Sequence, residues 1–350
     1  MSQLLKFTQK GIFCEEGNFY IDPWRPVDFA IITHAHSDHA RYGCKHYLAH
    51  KDSKPVLRLR LGENISLQTL DYGDTIYING VSVSLYPSGH IIGAAQIKVE
   101  YKGEIWVVAG DYKLQNDGIC TPFEPVKCHT FITESTFALP VYRWKPQKQI
   151  FDEIHMWWRQ NASKGKVSIL CGYALGKAQR LSKYLNPELG KIFLHGAVAN
   201  VNAALINSGI DIPDYPKSSS TISKNEYRGS IIIAPPSVAG TPWLKKFEPY
   251  SLAICSGWMQ IRGNQRRRNA DVGFVLSDHA DWNALLSAIE ATGAEHVIAT
   301  HGYTEIIARY LRERGLHAEV AYTEFGSEES DFSDYEELLP SNIDKAQTSD

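Results

Sequence analysis

The sequence predicts an α/β fold, and three observations carry that prediction. In roughly the first 140 residues, short apolar runs alternate with turns, a pattern typical of β-strands. From about residue 141 onward, strand-like runs alternate with helix-like stretches. Several apolar runs also stop at or just before a histidine or an acidic residue. We therefore expect β-rich structure followed by α/β structure, with polar side chains collected at strand ends.

The strands of the N-terminal part begin with a meander of short runs. Farther along, two runs alternate apolar and polar residues with the period of two that a half-buried strand shows. Two more apolar runs end at acidic residues. The runs that predict these strands are Asp28–Thr33, Val81–Tyr86, Ala95–Tyr101, WVVAGD ending at Asp111, and HTFITEST containing Glu134.

The C-terminal part begins with a helix-like stretch that stops at a glycine, and then continues as strand, glycine turn and helix. Three further apolar runs, a helix-like stretch and a last apolar run that stops at His301 follow. An amphipathic helix comes next. These segments read IFDEIHMWWRQNASKG, KVSILCGYALGKAQRLSKYL, IFLHG, GSIIIAPP, SLAICSG, WNALLSAIEATG, HVIAT and YTEIIARYLRERG.

Length and composition limit the possible classes. The chain has 350 residues, of which 43% are hydrophobic and 21% are charged, as in an ordinary globular protein. At about 150 residues per domain, we expect about two domains. No apolar stretch reaches the roughly 18 residues that span a bilayer, and the N-terminus lacks a signal-peptide pattern. The six cysteines form no CxxC pair, so we expect reduced thiols and a cytoplasmic protein with no membrane partner.

The net charge of −3 conceals an uneven distribution. Residues 327–350 contain eight acidic residues and one lysine, and we expect them to form a mobile tail. The remaining 326 residues carry 35 Lys and Arg against 31 Asp and Glu, a net charge of +4. The total charge is therefore no argument against phosphate binding.

The strongest chemical motif is HAHSDH, which directly follows the predicted strand at Asp28–Thr33. Imidazoles and a carboxylate are ligands that Zn, Mn or Fe accept. Other strand ends carry the same residue types. We therefore expect one metal site at one edge of a sheet sandwich, built from the following residues: His34, His36, Asp38, His39, His90, Asp111, Asp278, His279 and His301.

These motifs resemble those of a known family. HAHSDH is similar to the HxHxDH signature of the metallo-β-lactamase fold, and the stretch between Glu134 and His279 resembles the β-CASP nucleases, which insert a cap domain there. The C-terminal segments SGWMQIRG, GFVLSDHADW and AIEATGAEHVIATHGY look like those of bacterial ligase-associated DNA exonucleases. The resemblance covers about residues 10–325. It implies an αββα metallo-β-lactamase sandwich with an inserted α/β β-CASP cap.

The resemblance also implies domain limits. Residues 1–140 and 273–326 would form the metallo-β-lactamase domain, and residues 141–272 would form the cap. Residues 327–350 would form the acidic tail.

The resemblance assigns a role to each ligand-type residue. One divalent ion (Zn or Mn, with Fe as a third option) would take His34, His36 and His90, and a second would take Asp38, His39 and His301. Asp111 would bridge them, and such ions can polarise a phosphodiester and activate water. Four residues have further roles, of which Asp38 would also orient the attacking hydroxide. Asp22 would support the ligand loop, Glu134 would orient a histidine ligand or act as general acid, and His279 would contact the phosphate or protonate the leaving oxygen.

A basic run provides a candidate substrate surface. Residues 261–269 read IRGNQRRRN, and these arginines would bind phosphates near the site. Tyr173 and Lys177 lie at a glycine-containing turn that would present N–H groups to a phosphate. That turn is not a Walker A motif, so we expect no nucleotide cofactor. Trp243 and Trp258 are candidates for stacking on bases, although a core position is the simpler expectation. The four arginines are Arg262, Arg266, Arg267 and Arg268.

The expected function is hydrolysis of DNA ends by a dinuclear metal-dependent exonuclease in DNA repair. Single-stranded ends and 5′ polarity are expected from the resemblance, as is association with an ATP-dependent DNA ligase and a helicase. The main alternative is an RNA-processing β-CASP ribonuclease, which the His301 motif favours. A small-molecule metallo-hydrolase of the same fold and a binding module without metal are the remaining alternatives. The cap-sized insertion disfavours the small-molecule hydrolase, and the complete ligand set disfavours the binding module.

Overall fold

A computed structural model describes residues 3–261, 270–321 and 323. Within these residues the chain forms a mixed α/β structure with three β-sheets. In the same residues, no helix is long and apolar enough to cross a membrane. The expected tail at 327–350 and the four arginines between 262 and 268 lie outside the described residues.

The first sheet is built from the N-terminal meander. Its strands follow each other in chain order, with antiparallel pairs at the start and parallel pairs from the third strand onward. The strands are β1 (Lys6–Thr8), β2 (Gly11–Cys14), β3 (Phe19–Ile21), β4 (Phe29–Ile31), β5 (His46–His50) and β6 (Leu67–Leu70). Helix α1 (Lys54–Leu61) lies between β5 and β6 in the chain, and its buried face packs with residues of β4 and β5.

The second sheet combines the alternating strands of the N-terminal part with two strands from the C-terminus. Its order is β18-β17-β11-β10-β9-β8-β7. The N-terminal strands are β7 (Thr75–Ile78), β8 (Val81–Pro87), β9 (Ala95–Tyr101), β10 (Glu104–Val108) and β11 (Thr130–Ser135), and the C-terminal ones are β17 (His296–Gly302) and β18 (His317–Val320). The strands predicted at Val81–Tyr86 and Ala95–Tyr101 are confirmed.

The third sheet is entirely parallel, with the order β13-β14-β12-β15-β16. Such strands are covered on both faces and read as continuous apolar runs, as IIIA does here. The strands are β12 (Val167–Cys171), β13 (Ile192–Leu194), β14 (Ile231–Ala234), β15 (Tyr250–Cys255) and β16 (Val272–Phe274). The expected cap limit at residue 272 therefore falls inside β16.

The helices cover the outer faces of the sheets. The helix predicted within residues 150–165 is present but begins three residues earlier and ends at Ser163, and the amphipathic helix before residue 315 is present as well. The helices after α1 are α2 (Gln147–Ser163), α3 (Lys177–Tyr184), α4 (Gly196–Asn207), α5 (Lys224–Tyr227), α6 (Trp282–Thr292) and α7 (Thr304–Glu313). An apolar core joins the first and second sheets, and a second core joins the second sheet to α6 and α7. The third sheet packs against α2 and α3.

Phe131 tests the core between the second sheet and its helices. Its side chain is fully buried in β11 and packs in the cluster formed with α6 and α7. We expect Phe131→Ala to lower the free energy of unfolding by about 3–5 kcal/mol, because it leaves a cavity. Tyr77→Ala is the control, since Tyr77 is exposed on the edge strand β7, and we expect a change within about 0.5 kcal/mol. Urea unfolding measures both; equal losses would contradict this account of the core.

Candidate metal centre and active site

The loop after β4 is held by a carboxylate from the loop after β3. Asp22 accepts hydrogen bonds from the Thr33 amide at 2.7 Å and from the Thr33 hydroxyl at 2.5 Å. The same carboxylate lies 2.7 Å from Nδ1 of His39. Asp22 adopts a left-handed backbone conformation, with φ of 42°, which costs energy outside glycine and is concentrated at functional sites. Asp22 therefore fixes both the loop backbone and the orientation of the His39 ring.

Four ligand-type atoms converge beside this loop, two from the loop itself and two from the loops after β8 and β10. His36 Nδ1 lies 3.1 Å from His34 Nε2 and 3.1 Å from His90 Nε2. Asp111 Oδ2 lies 3.4 Å from His34 Nε2 and 3.6 Å from His90 Nε2. Four ligand atoms at about 2.0–2.2 Å from one tetrahedral Zn²⁺ are separated by about 3.3–3.6 Å. The arrangement therefore fits a single metal ion.

The opposite ring nitrogens have partners of their own. His90 Nδ1 lies 2.8 Å from the Asp278 carbonyl, and His36 Nε2 lies 3.3 Å from the Leu175 carbonyl. His34 Nδ1 lies 3.0 Å from the Thr33 hydroxyl. Metal-binding histidines are typically oriented by such bonds. The bonds to carbonyl oxygens require N–H donors, which leaves the inner nitrogens of His36 and His90 as electron-pair donors.

A second group of ligand-type side chains lies next to the first. His39 Nε2 is 3.4 Å from Asp38 Oδ2 and 3.7 Å from Asp111 Oδ2. The His301 ring centroid lies 5.6 Å from that of His39, and both rings line a cavity of about 30 Å³ together with Asp22 and Asp38. Asp111 faces both groups, so it is the residue placed to be shared by two ions.

Burial and the neighbouring carboxylates set the protonation of these groups: burial lowers the pKa of His39, but Asp38, Asp111 and Asp22 outweigh it and raise that pKa well above its usual value. Burial lowers the pKa of His36 and of His301 to about 4, so both imidazoles are neutral near pH 7, the form that binds metals. Burial also raises the pKa of Asp111 to about 7, reinforced by the Glu134 carboxylate and opposed by His39. A nearby cation would favour the ionised form of Asp111. The electrostatics therefore suit a bound divalent ion.

Glu134 and His279 form a pair beside the metal centre. Glu134 Oε2 lies 2.8 Å from His279 Nδ1, and the Tyr112 amide and the Thr136 hydroxyl donate to the same carboxylate at 2.8 and 2.6 Å. Burial works against the charged form, but His279 and these donors lower the pKa of Glu134 on balance. Glu134 is therefore a buried carboxylate that positions His279, whose Nδ1 lies 3.9 Å from Asp111 Oδ2.

Two of the predicted residues differ from the expected placement after a strand. Glu134 lies inside β11, and His301 lies inside β17. Glu134 pairs with Thr300, but the next residue, Ser135, pairs with Gly302, so the register between β11 and β17 shifts by one residue at His301. His301 has a φ of 51° at this point, and the Ser135 hydroxyl donates to its carbonyl. The irregularity, which no apolar run reveals, places His301 beside His39.

Lys177 is predicted from the sequence to bind a substrate phosphate, but the structure buries its ammonium group. Lys177 Nζ lies 2.9 Å from Asp278 Oδ2, and only 3% of the residue is exposed. Arg180 also contacts Asp278, at 3.3 Å, and donates to the Ser277 carbonyl at 2.7 Å. Burial opposes ionisation, but the cations Lys177, Lys113 and Arg180, together with His90, hold the pKa of Asp278 well below its usual range. The charge of Lys177 is thus already neutralised inside the protein.

Of the other predicted substrate residues, Tyr173 lies near the metal centre and Trp258 lies in the core. Tyr173 is half-buried, with its ring centroid 6.3 Å from that of His36. The Gly176 amide of the same turn donates to Gln179 Oε1 at 2.6 Å, so it is not presented to a phosphate. Trp258 is buried and packs on Phe137, with ring centroids 4.6 Å apart, as expected of a core residue.

Sequence reasoning missed Arg180 and the carbonyl oxygens that orient the ligands. Arg180 follows Lys177 by three residues on α3, so both cations lie on one helix face. This spacing beside buried apolar residues is the pattern from which the role of Arg180 could have been predicted. The role of the Leu175 carbonyl could not be predicted, because every residue has a backbone carbonyl and the sequence does not show which one contacts a ligand.

Several known proteins are similar in sequence to this chain, although no family model matches it. A probable DNA ligase from Opitutus terrae is 29% identical over 317 residues, which is 90% of this chain and 30% of that relative. Endoribonuclease YSH1 from Eremothecium gossypii is 30% identical over 183 residues, 51% of this chain and 22% of the relative. Cleavage and polyadenylation specificity factor subunit 3 from Dictyostelium discoideum is 29% identical over 145 residues, 38% of this chain and 18% of the relative.

These similarities support the resemblance to β-CASP nucleases and do not single out the DNA exonuclease subgroup. The chain spans less than a third of the length of each of these relatives. A solved structure of a protein of unknown function from Enterococcus faecalis V583 has a TM-score of 0.56 and 14% identity, and the match covers 85% of this chain and 80% of that chain. This structural match shows a shared fold.

Asp22 tests how the ligand loop is held. Asp22→Asn keeps the size of the side chain and tolerates the left-handed backbone, but it removes the charge that holds the His39 ring. We expect about 10–100-fold weaker metal retention, the usual effect of removing a partner of a ligand. Dialysis against graded chelator concentrations, followed by elemental analysis, measures this retention. Asp28→Asn is the matched control, because Asp28 forms an exposed pair with Lys45; equal retention in both variants would refute the role of Asp22.

Proposed function

We propose that this chain is a dinuclear metal-dependent nuclease that hydrolyses phosphodiester bonds. The observation that carries the proposal is the convergence of three histidine nitrogens on Asp111, with the Asp38 and His39 group on the other side of the same carboxylate. His34, His36 and His90 would hold one ion, Asp38, His39 and His301 would hold the other, and Asp111 would contact both. Two divalent ions, Zn or Mn with Fe as a third option, would polarise the phosphodiester and activate water.

The residues around the centre would supply binding and proton transfer. Glu134 holds His279 by Nδ1, which orients the ring so that Nε2 would act on the substrate. His279 would contact the scissile phosphate or protonate the leaving oxygen, because an imidazole titrates near neutral pH. Asp38 retains partial exposure of its side chain and would orient the attacking water.

We also propose the metallo-β-lactamase αββα sandwich with a β-CASP cap as the architecture. The core between the first two sheets and the core beneath α6 and α7 support the sandwich. The separate parallel sheet with α2 and α3 supports the inserted cap. We propose the division into 1–140 and 273–326, with 141–272 as the cap and 327–350 as the tail, except that β16 extends the cap sheet to Phe274.

RNA is the substrate that the comparisons favour. Several named relatives are endoribonucleases, so the ribonuclease alternative is better supported than the DNA exonuclease expected from the sequence. DNA remains the second candidate, because the match to a probable DNA ligase covers 90% of this chain. The match to the Eremothecium gossypii endoribonuclease covers 51% of this chain. Exonuclease action, 5′ polarity, and association with a ligase and a helicase rest on the resemblance alone.

A direct substrate comparison separates these candidates. We expect the purified chain with Mn²⁺ or Zn²⁺ to cleave labelled single-stranded RNA faster than DNA of the same sequence. Substrates labelled at either end distinguish internal cleavage from stepwise release of nucleotides. Shortening of DNA from its 5′ end, with RNA left intact, would instead establish the DNA exonuclease. Failure to cleave either polymer with Mn²⁺, Zn²⁺ or Fe²⁺ would contradict the nuclease proposal.

Asp111 tests the mechanism independently of the substrate. We expect Asp111→Ala to reduce the cleavage rate by more than about 10³-fold, equivalent to about 4 kcal/mol of barrier, because both ions would lose their shared ligand. Initial rates on the better polymer measure this effect. Asp28→Ala is the control, because that carboxylate is exposed and pairs with Lys45. Near-native cleavage by Asp111→Ala would rule out the two-ion mechanism.

A further inference from the structure

Three ligand-type side chains lie together at the start of the last two strands of the second sheet. His296 on β17 and His317 on β18 are direct partners in the parallel pairing. Glu319 follows His317 by two residues, so its side chain emerges on the same face of the sheet. Strand pairing therefore brings together residues that are 21 positions apart in the chain.

The distances within this cluster are those of a metal site. Glu319 Oε1 lies 3.1 Å from His317 Nε2 and 3.4 Å from His296 Nε2. The ligand-type atoms of the three residues all lie within 4.8 Å of one another. The two imidazole rings are stacked, with centroids 4.3 Å apart. The 3.4 Å separation matches the roughly 3.3–3.6 Å expected between ligand atoms around a tetrahedral Zn²⁺, and the 3.1 Å separation is slightly shorter.

The inner nitrogen of His296 lacks a satisfied hydrogen bond. Its Nε2 atom is buried, and its 3.4 Å contact with Glu319 Oε1 lacks hydrogen-bond geometry, so it has no hydrogen-bond partner among the described residues. Buried polar atoms of this kind are rare and call for a physical reason. The other nitrogen, Nδ1, lies 3.4 Å from the Thr130 hydroxyl, while the ring edge packs on Trp106. His296 is therefore held with an unsatisfied nitrogen directed toward Glu319.

The surroundings favour neutral His296. Burial lowers the pKa of its imidazole, His317 adds to the effect, and Glu319 opposes it. The neutral form has the electron pair that a metal requires. His317 and Glu319 are largely exposed, so an ion would reach them from solvent.

The cluster is distinct from the candidate active site. His296 begins β17 and His301 lies near its end, five residues farther on. At about 3.3 Å per residue, the two lie roughly 16 Å apart along the strand. None of the three residues belongs to the ligand groups around Asp111.

We propose that His296, His317 and Glu319 form an additional binding site for a borderline divalent transition-metal ion such as Zn²⁺. Two imidazoles and one carboxylate suit Zn²⁺ or Ni²⁺, whereas Mg²⁺ and Ca²⁺ prefer oxygen ligands. Water completes the coordination at the exposed side. Because the ligands come from two strands, the ion links the edge strand β18 to β17.

Metal stoichiometry tests this site without relying on catalysis. The full-length, untagged chain is dialysed against buffered Zn²⁺, and bound zinc is counted by elemental analysis. We expect wild type to bind one equivalent more than His317→Ala. His46→Ala is the matched control, because His46 is an exposed histidine at the start of β5 whose Nδ1 contacts Ser66; it keeps the wild-type count. The His317→Ala variant keeps the wild-type nuclease rate, so this result is independent of the proposed nuclease.

Glu319→Gln provides a second measurement. It keeps the size of the side chain and removes its charge, and we expect at least a tenfold weaker affinity for the additional Zn²⁺. Circular dichroism checks that each variant is folded. Equal zinc counts in wild type and folded His317→Ala would overturn the proposal. If His317→Ala does not fold, an unchanged affinity in Glu319→Gln would overturn it.

Discussion

A carboxylate buried among imidazoles is unfavourable unless a charge or a hydrogen bond stabilises it, and Asp111 is in this situation. Its Oδ2 atom faces His34, His39 and His90 at 3.4–3.7 Å, distances too long for good hydrogen bonds. Lone pairs of this many buried acceptors repel each other at short range unless a cation lies between them. The packing of the first two sheets nevertheless brings the loops after β4, β8 and β10 together at this point. The arrangement of the rest of the site depends on this shared carboxylate.

The third sheet contributes to the same point through the backbone. The Leu175 carbonyl contacts His36, and the Asp278 carbonyl contacts His90, so segments that flank this sheet orient two ligand-type rings. Asp278 is in turn held between Lys177 and Arg180. Removing one partner of such a buried pair typically costs about 3–5 kcal/mol, because a charge is left uncompensated. A residue that looked suited to phosphate binding thus stabilises the contact that orients His90.

Part of this arrangement could be predicted from the sequence, and physical reasons limit the rest. His34, His36 and Asp38 lie in one short motif after one apolar run, so their convergence follows from local chain direction. His90 and Asp111 follow other strands, and strand ends at one sheet edge meet by geometry. His301 could be expected near the site, but its place inside β17 depends on a register shift and a left-handed residue. The pairing of His279 with Glu134 and of Lys177 with Asp278 joins residues about 100 or more positions apart, and only tertiary packing decides such pairings.

The two clusters along β17 differ in ways that separate their chemistry. The group around Asp111 is buried, contains two adjoining sets of ligand-type atoms and shares one carboxylate between them. A shared carboxylate keeps two ions close enough to act on the same phosphate. The group at His296 contains one set of three atoms, two of its side chains are largely exposed, and no described carboxylate joins it to another set. An ion there, roughly 16 Å from His301 along β17, would be too far away to act on the same phosphate as the ions at Asp111. It would instead act on the structure, by holding the edge strand β18, which pairs with β17 in the second sheet. Strand β17 would therefore be anchored by this ion near His296, at its first end. Near its other end, the same strand contributes His301 to the candidate active site.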